Sequence, residues 1–324
     1  MNLNPLSAIL SAIYGGVIGA RNAFYGRRLL RSRWLQGPVI SVGNLSTGGS
    51  GKTPFVILLG ELLKARGIRF DVLSRGYGRK SRGVLLVAPD GLPRDFGDEP
   101  LLMARRLQVP VVVGEDRYEA GRFAEARFGA QVHLLDDGFQ HRGLGRDFDI
   151  VLVTPEDARD RVLPSGRLRE PLRCLQRADV VALVSGAAAE SFPLASKIVW
   201  RVRRGILTQN ISPGIPLRPV VFCGIARPQN FLLQLRAAGV DPVAEAFFRD
   251  HHTYTEKDVR DLLQLRQHSE ADGFVTTEKD AVNLGGYLGA LAPLAVVPVK
   301  MELADAANAV DTMLRVIEER RQRS

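Results

Sequence analysis

The chain has 324 residues, 45% of them hydrophobic and 24% charged, which is typical of a soluble globular protein long enough for two domains. Its two cysteines, Cys174 and Cys223, lie far apart, which argues against a disulfide framework or a zinc site and favours a reducing, cytoplasmic compartment. The net charge is +9, and residues 1–60 carry no acidic side chain. Nucleic acid is still a poor candidate partner, because beyond Trp34 no base-stacking aromatic side chains are interleaved with this basic cluster.

Residues 3–20 are apolar or small almost throughout and predict an amphipathic helix. One face would carry Leu3, Leu6, Ile9, Leu10, Ile13, Tyr14 and Val17, and the other Ser7, Ser11, Gly15, Gly19 and Asn22. Five arginines follow: Arg21, Arg27, Arg28, Arg31 and Arg33. A cleaved signal peptide is disfavoured, because no basic stretch precedes the apolar residues. We predict a helix lying in the membrane interface, with its arginines facing anionic headgroups; a membrane-inserted helix and an ordinary packed helix remain the alternatives.

Residues 39–54 read V-I-S-V-G-N-L-S-T-G-G-S-G-K-T-P and predict a buried strand, a glycine-rich loop and the start of a helix. In this context the residues Gly48, Gly49, Ser50, Gly51, Lys52 and Thr53 are candidates for binding a nucleoside triphosphate. Backbone N–H groups of the loop would surround phosphate oxygens, Lys52 would reach the β- and γ-phosphates, and the Thr53 hydroxyl would hold Mg²⁺. The loop departs from the pattern G-x-x-x-x-G-K-S/T at Ser46 and is closer to K-G-G-x-G-K-S/T, with Thr47 in place of the leading lysine.

Strands and helices alternate along the rest of the chain. We predict strands at 70–74, 83–88, 109–113, 132–135, 148–153 and 180–184, and, beyond a Pro/Gly-rich seam at 213–219, at 220–224, 244–248, 273–277 and 294–298. Helices are predicted at 55–63, 99–107, 116–128, 228–238, 256–267 and 304–320. The fold class is therefore α/β, with a mostly parallel, P-loop-type sheet covered by helices on both faces. We predict an N-terminal membrane-associating segment (1–35), a core domain (36–212) and a smaller C-terminal α/β domain (213–324); a continuation of one sheet is the alternative.

The segment H-L-L-D-D ends a predicted strand with two adjacent carboxylates, Asp136 and Asp137. Two neighbouring carboxylates repel each other, so a cation is favoured beside them. An apolar strand that delivers a carboxylate to its end is the arrangement that holds Mg²⁺ opposite a phosphate loop. We therefore predict a Mg²⁺ site between Thr53 and this pair.

Two further groups of polar residues are candidates for a functional role. Asp98 precedes a predicted helix, where a lone Asp is most often an N-cap. Asp250, His251 and His252 form a denser cluster, which is compatible with a base relay, a metal site or a loop; the metal site is disfavoured because no third ligand is identifiable.

Six motifs occur in one order: G-N-L-S-T-G-G-S-G-K-T-P, S-R-G-Y-G-R, G-D-E-P, L-L-D-D-G-F-Q-H-R, P-S-G-R-L-R-E-P and D-H-H-x-Y-T. Together they resemble the tetraacyldisaccharide 4′-kinases of lipid A biosynthesis, from about residue 4 into the C-terminal domain. The resemblance implies a membrane-associated, ATP- and Mg²⁺-dependent kinase that phosphorylates the 4′-hydroxyl of an acylated disaccharide 1-phosphate and gives lipid IV-A. It implies a location at the cytoplasmic face of the inner membrane.

The same resemblance implies residue roles. Asp98 would be the general base, His251 its partner in preference to His252, and Asp136, Asp137 and Glu170 would lie at the metal. Candidates for substrate contacts, by residue type and motif, are Arg75, Tyr77, Arg79, Arg117, His141 and Arg142.

Two other function classes share parts of this pattern. A membrane-recruited P-loop ATPase switch would use the leading lysine that Thr47 replaces. A GTPase or metallochaperone would carry N-K-x-D, whereas the chain has Thr277-Glu278-Lys279-Asp280, with its lysine one place late.

Overall fold

The computed structural model describes residues 5–195, 197–209, 211 and 214–323. Leu3 of the predicted apolar face, and residues 212 and 213 at the predicted domain boundary, lie outside these ranges. Over the described residues the strands are β1 (Val39–Asn44), β2 (Phe70–Ser74), β3 (Leu85–Leu86), β4 (Val111–Val113), β5 (Val132–Asp136), β6 (Phe148–Val153), β7 (Val180–Val184), β8 (Ile198–Ile206), β9 (Pro219–Cys223), β10 (Ala244–Phe247), β11 (Gly273–Thr277), β12 (Leu294–Val297) and β13 (Val299–Leu303). The helices are α1 (Pro5–Gly26), α2 (Lys52–Lys64), α3 (Pro93–Phe96), α4 (Asp98–Leu107), α5 (Arg117–Phe128), α6 (Pro228–Ala237), α7 (Glu256–His268), α8 (Glu278–Leu284) and α9 (Ala306–Gln322).

Two sheets organise the described chain. The larger has nine strands in the order β13-β8-β7-β6-β1-β5-β2-β4-β3, and the smaller has four in the order β10-β9-β11-β12. Neighbours within the described sheets run parallel, apart from β13 against β8 and β3 against β4. The predicted mostly parallel α/β architecture is confirmed. Because β1 lies between β5 and β6, the loop after β1 opens at the carboxyl edge of the sheet, where ligands of such folds bind.

Helices cover both faces of the larger sheet. On one face α2, α4 and α9 pack on the strands through side chains such as Phe55, Leu101 and Val310. On the other, Ala120 and Ala124 of α5 pack against Val39, Leu73 and Val112. Central strands buried on both sides read as continuous apolar runs, which is why β1, β6 and β7 are recognisable from sequence alone.

The end of the chain departs from the simple order of three consecutive domains. Strand β13 pairs antiparallel with β8, and α9 packs in the core of the larger sheet, so residues 299–323 return to it after the smaller sheet is complete. The remaining division of the chain into domains stays a prediction. Strands β8 and β13 were not predicted; β13 is the edge strand and β8 lies next to it, and buried and exposed residues alternate along part of each strand.

Helix α1 turns its polar side toward the protein. The Ser11 hydroxyl donates to the backbone oxygen of Val162 at 3.0 Å, and the Asn22 amide donates to Glu170 at 3.2 Å. The opposite, apolar face is open: Ile9, Ile13 and Val17 are 58%, 60% and 62% exposed. Across the described residues, no helix combines the length and apolar character needed to cross a membrane.

Candidate active site

The phosphate loop connects β1 to α2 through left-handed glycines. Gly48, Gly49 and Gly51 have φ of 70°, 70° and 83°, a region that other residues enter only with strain. Helix α2 begins at Lys52, so the loop directs backbone N–H groups and the positive helix end toward the same space. Lys52 Nζ donates to Asn44 Oδ1 at 3.0 Å, which holds the ammonium group over the loop. This is a preformed cradle for phosphate groups.

The two adjacent carboxylates have different surroundings. Asp136, at the end of β5, accepts a hydrogen bond from the Ser74 hydroxyl at 3.0 Å, while its other oxygen is buried with no hydrogen-bond partner among the described residues. Burial raises the pKa of Asp136 to about 7, and the negative charges of Glu99 and Asp137 add to the rise. The carboxyl group therefore has one oxygen without a hydrogen-bond partner in the described structure, and its negative charge is disfavoured by burial and by neighbouring carboxylates. A bound cation would stabilise that charge.

Asp137 is held by cations already present. Arg169 donates to its two oxygens at 2.8 and 2.9 Å, and Lys52 Nζ lies 3.5 Å away. Burial alone would raise the pKa of Asp137, but the charges of Lys52 and Arg169 hold it well below its usual range. Asp137 thus positions the cationic side chains beside the loop.

The residues present fit a Mg²⁺ ion. Mg²⁺ is commonly held by one or two carboxylates together with substrate phosphates and water. A cluster of three or more His, Cys, Asp or Glu side chains able to hold a metal is absent from the described part of the chain. Asp136, with its partnerless buried oxygen, and Thr53 at the start of α2 are the side chains that suit this ion.

Asp98 and His251 come together from the two sheets. Asp98 is the first residue of α4 and is 4% exposed; Gly97 before it, with φ of 90°, occupies the N-cap position, and Asp98 Oδ1 accepts from the Glu99 backbone N–H at 2.9 Å. The two Asp98 oxygens lie 3.0 and 2.9 Å from His251 Nδ1. His252 instead contacts Asp258 at 3.1 Å and stacks on Phe248. The geometry supports His251, and not His252, as the partner of Asp98.

Helix α8 adds two donors to this pair. The Asn283 amide donates to Asp98 Oδ2 at 3.1 Å, and Lys279 Nζ lies 3.8 Å from the same oxygen. Burial would raise the pKa of Asp98, but the hydrogen bond from His251 and the charge of Lys279 lower it below its ordinary value. Asp98 is therefore held as a charged carboxylate, able to accept a proton or a hydrogen bond.

A cavity of about 610 Å³ joins these groups. Its walls include the phosphate loop, the ends of β2 and β5, the loop after β9 and the start of α8, so it lies between the two sheets. The described residues that line it include Gly48, Gly49, Ser50, Gly51, Lys52, Thr53, Ser74, Arg75, Tyr77, Glu99, Asp136, Asp137, Arg169, Arg204, Arg227, Asp250, His251 and Lys279. Its volume is in the range of small-molecule sites.

The predicted substrate residues fall into two groups. Arg75 and Tyr77 line the cavity, and the Tyr77 ring lies 5.1 Å from the His251 ring. Arg79 is not among the described residues that line the cavity and donates to Glu115 at 2.7 Å, which indicates a structural contact. Arg117 is 5% exposed, and burial together with the charge of Arg75 lowers the pKa of its guanidinium.

Arg142 and Glu170 lie under α1. Arg142 donates to the backbone oxygen of Asn22 at 2.8 Å. Glu170 is fully buried and accepts from Arg177 at 2.7 Å, and it is not among the described residues lining the cavity. Its place at the metal stays a prediction that the geometry does not support.

His141 lies in a cationic environment. Burial lowers the pKa of His141 to about 4, and the charge of Arg117 is the next contribution. Because the unfolded chain binds this proton near pH 6.5, stability is lost as the pH falls from 6.5 toward 4. We expect His141→Gln to flatten the decline in Tm between pH 6.5 and 4.5, as measured by scanning calorimetry. His268→Gln, on the exposed side of α7, is the control, and an equally steep decline in both variants would contradict the assignment.

Several site residues were not predicted from the sequence. These residues contact the phosphate loop, the carboxylates or each other, and folding is what brings them to the site: Asn44, Arg169, Arg204, Arg227 and Asn283. Arg204 donates to the backbone oxygen of Gly49 at 3.1 Å, and a Cβ on Gly49 would lie 2.8 Å from Arg227 Nε. Asn44 lies in the motif G-N-L-S-T-G-G-S-G-K-T-P and Arg169 in P-S-G-R-L-R-E-P. Membership of these two motifs is the sequence feature from which the two residues could have been predicted.

Comparisons with known proteins point to one family. Residues 3–318 match the family model described as LpxK, tetraacyldisaccharide-1-P 4′-kinase. A tetraacyldisaccharide 4′-kinase of Koribacter versatilis is 50% identical over 326 residues, covering 98% of this chain and 99% of that protein. The corresponding protein of Geobacter metallireducens is 39% identical, covering 95% and 98%. The crystal structure of the "apo" form of LpxK from Aquifex aeolicus in complex with ATP aligns with a TM-score of 0.78 and 34% identity, covering 96% of this chain and 98% of that one.

Proposed function

Because the chain belongs to the tetraacyldisaccharide-1-P 4′-kinase family, we propose that it transfers the γ-phosphate of ATP to the 4′-hydroxyl of a tetraacylated disaccharide 1-phosphate, forming lipid IV-A in lipid A biosynthesis. One observation carries the proposal for these residues. The phosphate loop and the Asp98–His251 pair meet at one cavity between the two sheets, so a nucleotide and a hydroxyl acceptor can meet there.

ATP would be bound by the loop and by arginines around it. Backbone N–H groups and Lys52 would hold the phosphates. Arg204 and Arg227 line the same cavity, and their side chains lie against Gly49, which places further positive charge at the loop. The relative from Aquifex aeolicus that aligns over nearly the whole chain binds ATP, which supports this nucleotide.

Thr53 and Asp136 would hold Mg²⁺, which supplies charge neutralisation at the phosphates when bound. The protein's own part is to place the reactants. Lys52 and Arg169 present fixed positive charge, and Asp137 keeps the two side chains oriented. A loose phosphoryl-transfer transition state depends mainly on such positioning and charge.

Asp98 would act as the general base. As the bond between the sugar oxygen and the γ-phosphorus forms and the bond to ADP breaks, the hydroxyl proton passes to the Asp98 carboxylate. His251, hydrogen-bonded to the two oxygens of Asp98, fixes the orientation of the carboxylate. Arg75 and Tyr77, on the cavity wall, are placed to contact the substrate, and Arg117, His141 and Arg142 are weaker candidates because they lie outside the described lining.

The acyl chains of the substrate require an enzyme that works at a membrane. Helix α1 packs through Ser11 and Asn22, which leaves its apolar face exposed beside the arginine cluster. An exposed apolar stripe on a helix with neighbouring arginines is the pattern of a segment that lies in an anionic interface. We therefore propose that this helix holds the protein at a membrane surface, which the family resemblance implies is the cytoplasmic face of the inner membrane.

Replacing Ile13 and Val17 together by asparagine is expected to weaken binding to anionic vesicles by at least about tenfold, because each buried aliphatic side chain contributes about 1.5–3 kcal/mol. Vesicle sedimentation measures the loss. Thermal stability should be unchanged, since the two side chains are 60% and 62% exposed. Leu217→Asn, at a residue that is 92% exposed beside the smaller sheet, is the matched control, and equal losses in the two variants would refute the assignment.

The function itself is tested with γ-labelled ATP and tetraacyldisaccharide 1-phosphate in mixed micelles. Label in the lipid supports the kinase. Label in free phosphate alone, unaffected by the lipid, would favour the membrane-recruited ATPase instead.

A further inference from the structure

The segment Thr277-Glu278-Lys279-Asp280 begins α8 and supplies a lysine that the proposed reaction does not yet use. Lys279 Nζ donates to Asp250 Oδ1 at 2.9 Å and lies 3.3 Å from His251 Nε2. It also lies 3.8 Å from Asp98 Oδ2. The ammonium group therefore contacts the ring nitrogen of His251 that faces away from Asp98.

The charge of Lys279 decides whether it can donate a hydrogen bond, accept one, or both. Burial would lower the pKa of Lys279, but the nearby carboxylates of Asp98, Glu99 and Asp250 raise it above its ordinary value. Lys279 is thus an ammonium group, which has three N–H donors and no acceptor. A hydrogen bond between Lys279 and His251 Nε2 requires that this nitrogen carries no proton. The ring proton must then lie on Nδ1, where it donates to Asp98.

We propose that Lys279 is a positioning residue for the Asp98–His251 pair: by donating to Nε2, it holds His251 as the neutral ring whose single proton lies on Nδ1, toward Asp98. This inference rests on the proposed role of Asp98 as the base. A doubly protonated ring would form a tight ion pair with Asp98 and leave a weaker base. A neutral ring leaves the carboxylate free to take the proton of the sugar hydroxyl.

The surroundings of His251 contain opposing charges. From α4, Asp98 and Glu99 face this region, and Asp250 Oδ2 lies 3.8 Å from His251 Nε2. These carboxylates favour the imidazolium, and Lys279 is the cation that opposes it. Burial and the charge of Lys279 each lower the pKa of His251, but the hydrogen bond and charge of Asp98 outweigh them and raise it above its ordinary value. Lys279 therefore limits the pH range in which the ring is charged.

Helix α8, which carries Lys279, is held against helix α4, which carries Asp98. Asn283, one turn beyond Lys279 on the same face, donates to Asp98. Glu278 accepts from Arg106 of α4 at 2.7 Å, which ties the start of α8 to the helix that carries Asp98. One short helix from the smaller sheet thus holds the base and its histidine together.

The test uses full-length enzyme labelled with ¹⁵N at histidine, with the His251 signal identified by its loss in His251→Gln. The wild-type ring is expected to be the Nδ1–H tautomer at alkaline pH. In Lys279→Met, the midpoint of its titration should move up by about one pH unit, since an adjacent positive charge is lost. Lys279→Arg, which keeps the charge and the donors, should restore the wild-type midpoint. Lys257→Met, on the exposed face of α7, is the control and should leave it unchanged.

The acid limb of the pH profile of kcat should move in the same direction in Lys279→Met, while the KM for ATP stays within about twofold. A lysine with a purely structural role would lower kcat evenly across the pH range. A wild-type ring protonated on Nε2, or an unmoved midpoint in Lys279→Met, would overturn the inference. If the tautomer is as expected but Asp98→Asn retains full activity, then the proposed base is wrong and the assignment of Lys279 as the tautomer-fixing contact still stands.

Discussion

Asp98→Asn is expected to lower kcat by about 10²–10³-fold, because the variant keeps the size of the side chain but loses the carboxylate that we propose accepts the hydroxyl proton. The KM for ATP should change little, since the phosphate loop is built from β1 and α2. Steady-state kinetics with ATP and the disaccharide lipid, at saturating lipid, measure the two parameters separately.

The size of this effect follows from the contacts of Asp98. The carboxylate is 4% exposed and faces the ring of His251, the amide of Asn283 and the ammonium of Lys279. An amide in that place would offer one oxygen and a poor proton acceptor. Asp90→Asn, at an exposed loop residue, is the matched control and should keep wild-type kcat. A kcat for Asp98→Asn within about threefold of wild type would show that another group accepts the proton.

Lys52→Met is expected to lower kcat by about 10²–10³-fold and to weaken ATP binding, because a fixed positive charge directed at the phosphates is lost. The ammonium group is positioned by Asn44 at 3.0 Å and lies 3.5 Å from Asp137. Its removal would also leave Asp137 with Arg169 as its remaining close cation among the described residues. Isothermal calorimetry with a non-hydrolysable ATP analogue measures binding, and single-turnover transfer measures the chemical step.

Lys64→Met is a suitable control for Lys52, because Lys64 ends the same helix and donates to the Leu107 backbone at 2.7 Å, away from the cavity. It should cost stability without changing transfer. Equal losses of kcat in the two variants would mean that the Lys52 effect comes from α2 as a whole and not from the phosphate contact.

The order of helices and strands could be predicted because the central strands are recognisable from their own amino-acid sequences. Strands β2, β6 and β7 have the predicted bounds, since strands buried on both faces are short continuous apolar runs. Strands β8 and β13 were missed for the opposite reason. In the segment Ile198–Ile206, which forms β8, the apolar residues Trp200 and Val202 alternate with arginines. Its partner β13 is half-exposed and lies 93 residues or more further along the chain, so no nearby stretch of sequence indicates that the two strands pair. Alternation with period two was the feature that could have shown them.

The candidate site was predictable only where it is local. The loop residues 48–53 and the pair Asp136–Asp137 lie in continuous motifs, so their proximity to one strand end follows from the sequence. The contacts of Asp98 with His251 and Asn283 join residues 153 and 185 positions apart, and only the packing of α8 on α4 brings them together. The choice between His251 and His252 is likewise a matter of backbone: His251, with φ of 57°, turns its ring toward Asp98, while the next ring faces Asp258. Family resemblance, rather than pattern, suggested Asp98 as the candidate base.

The central claim is that the γ-phosphate reaches the sugar hydroxyl held at the cavity between the sheets. The most direct measurement is the ³¹P–¹H correlation spectrum of the lipid product made from ATP by the wild-type protein in mixed micelles. We predict one new phosphomonoester per lipid, coupled to the proton at the 4′ position, with ADP formed in equal amount. A new phosphate coupled to another ring position, or inorganic phosphate with no change in the lipid, would contradict the account.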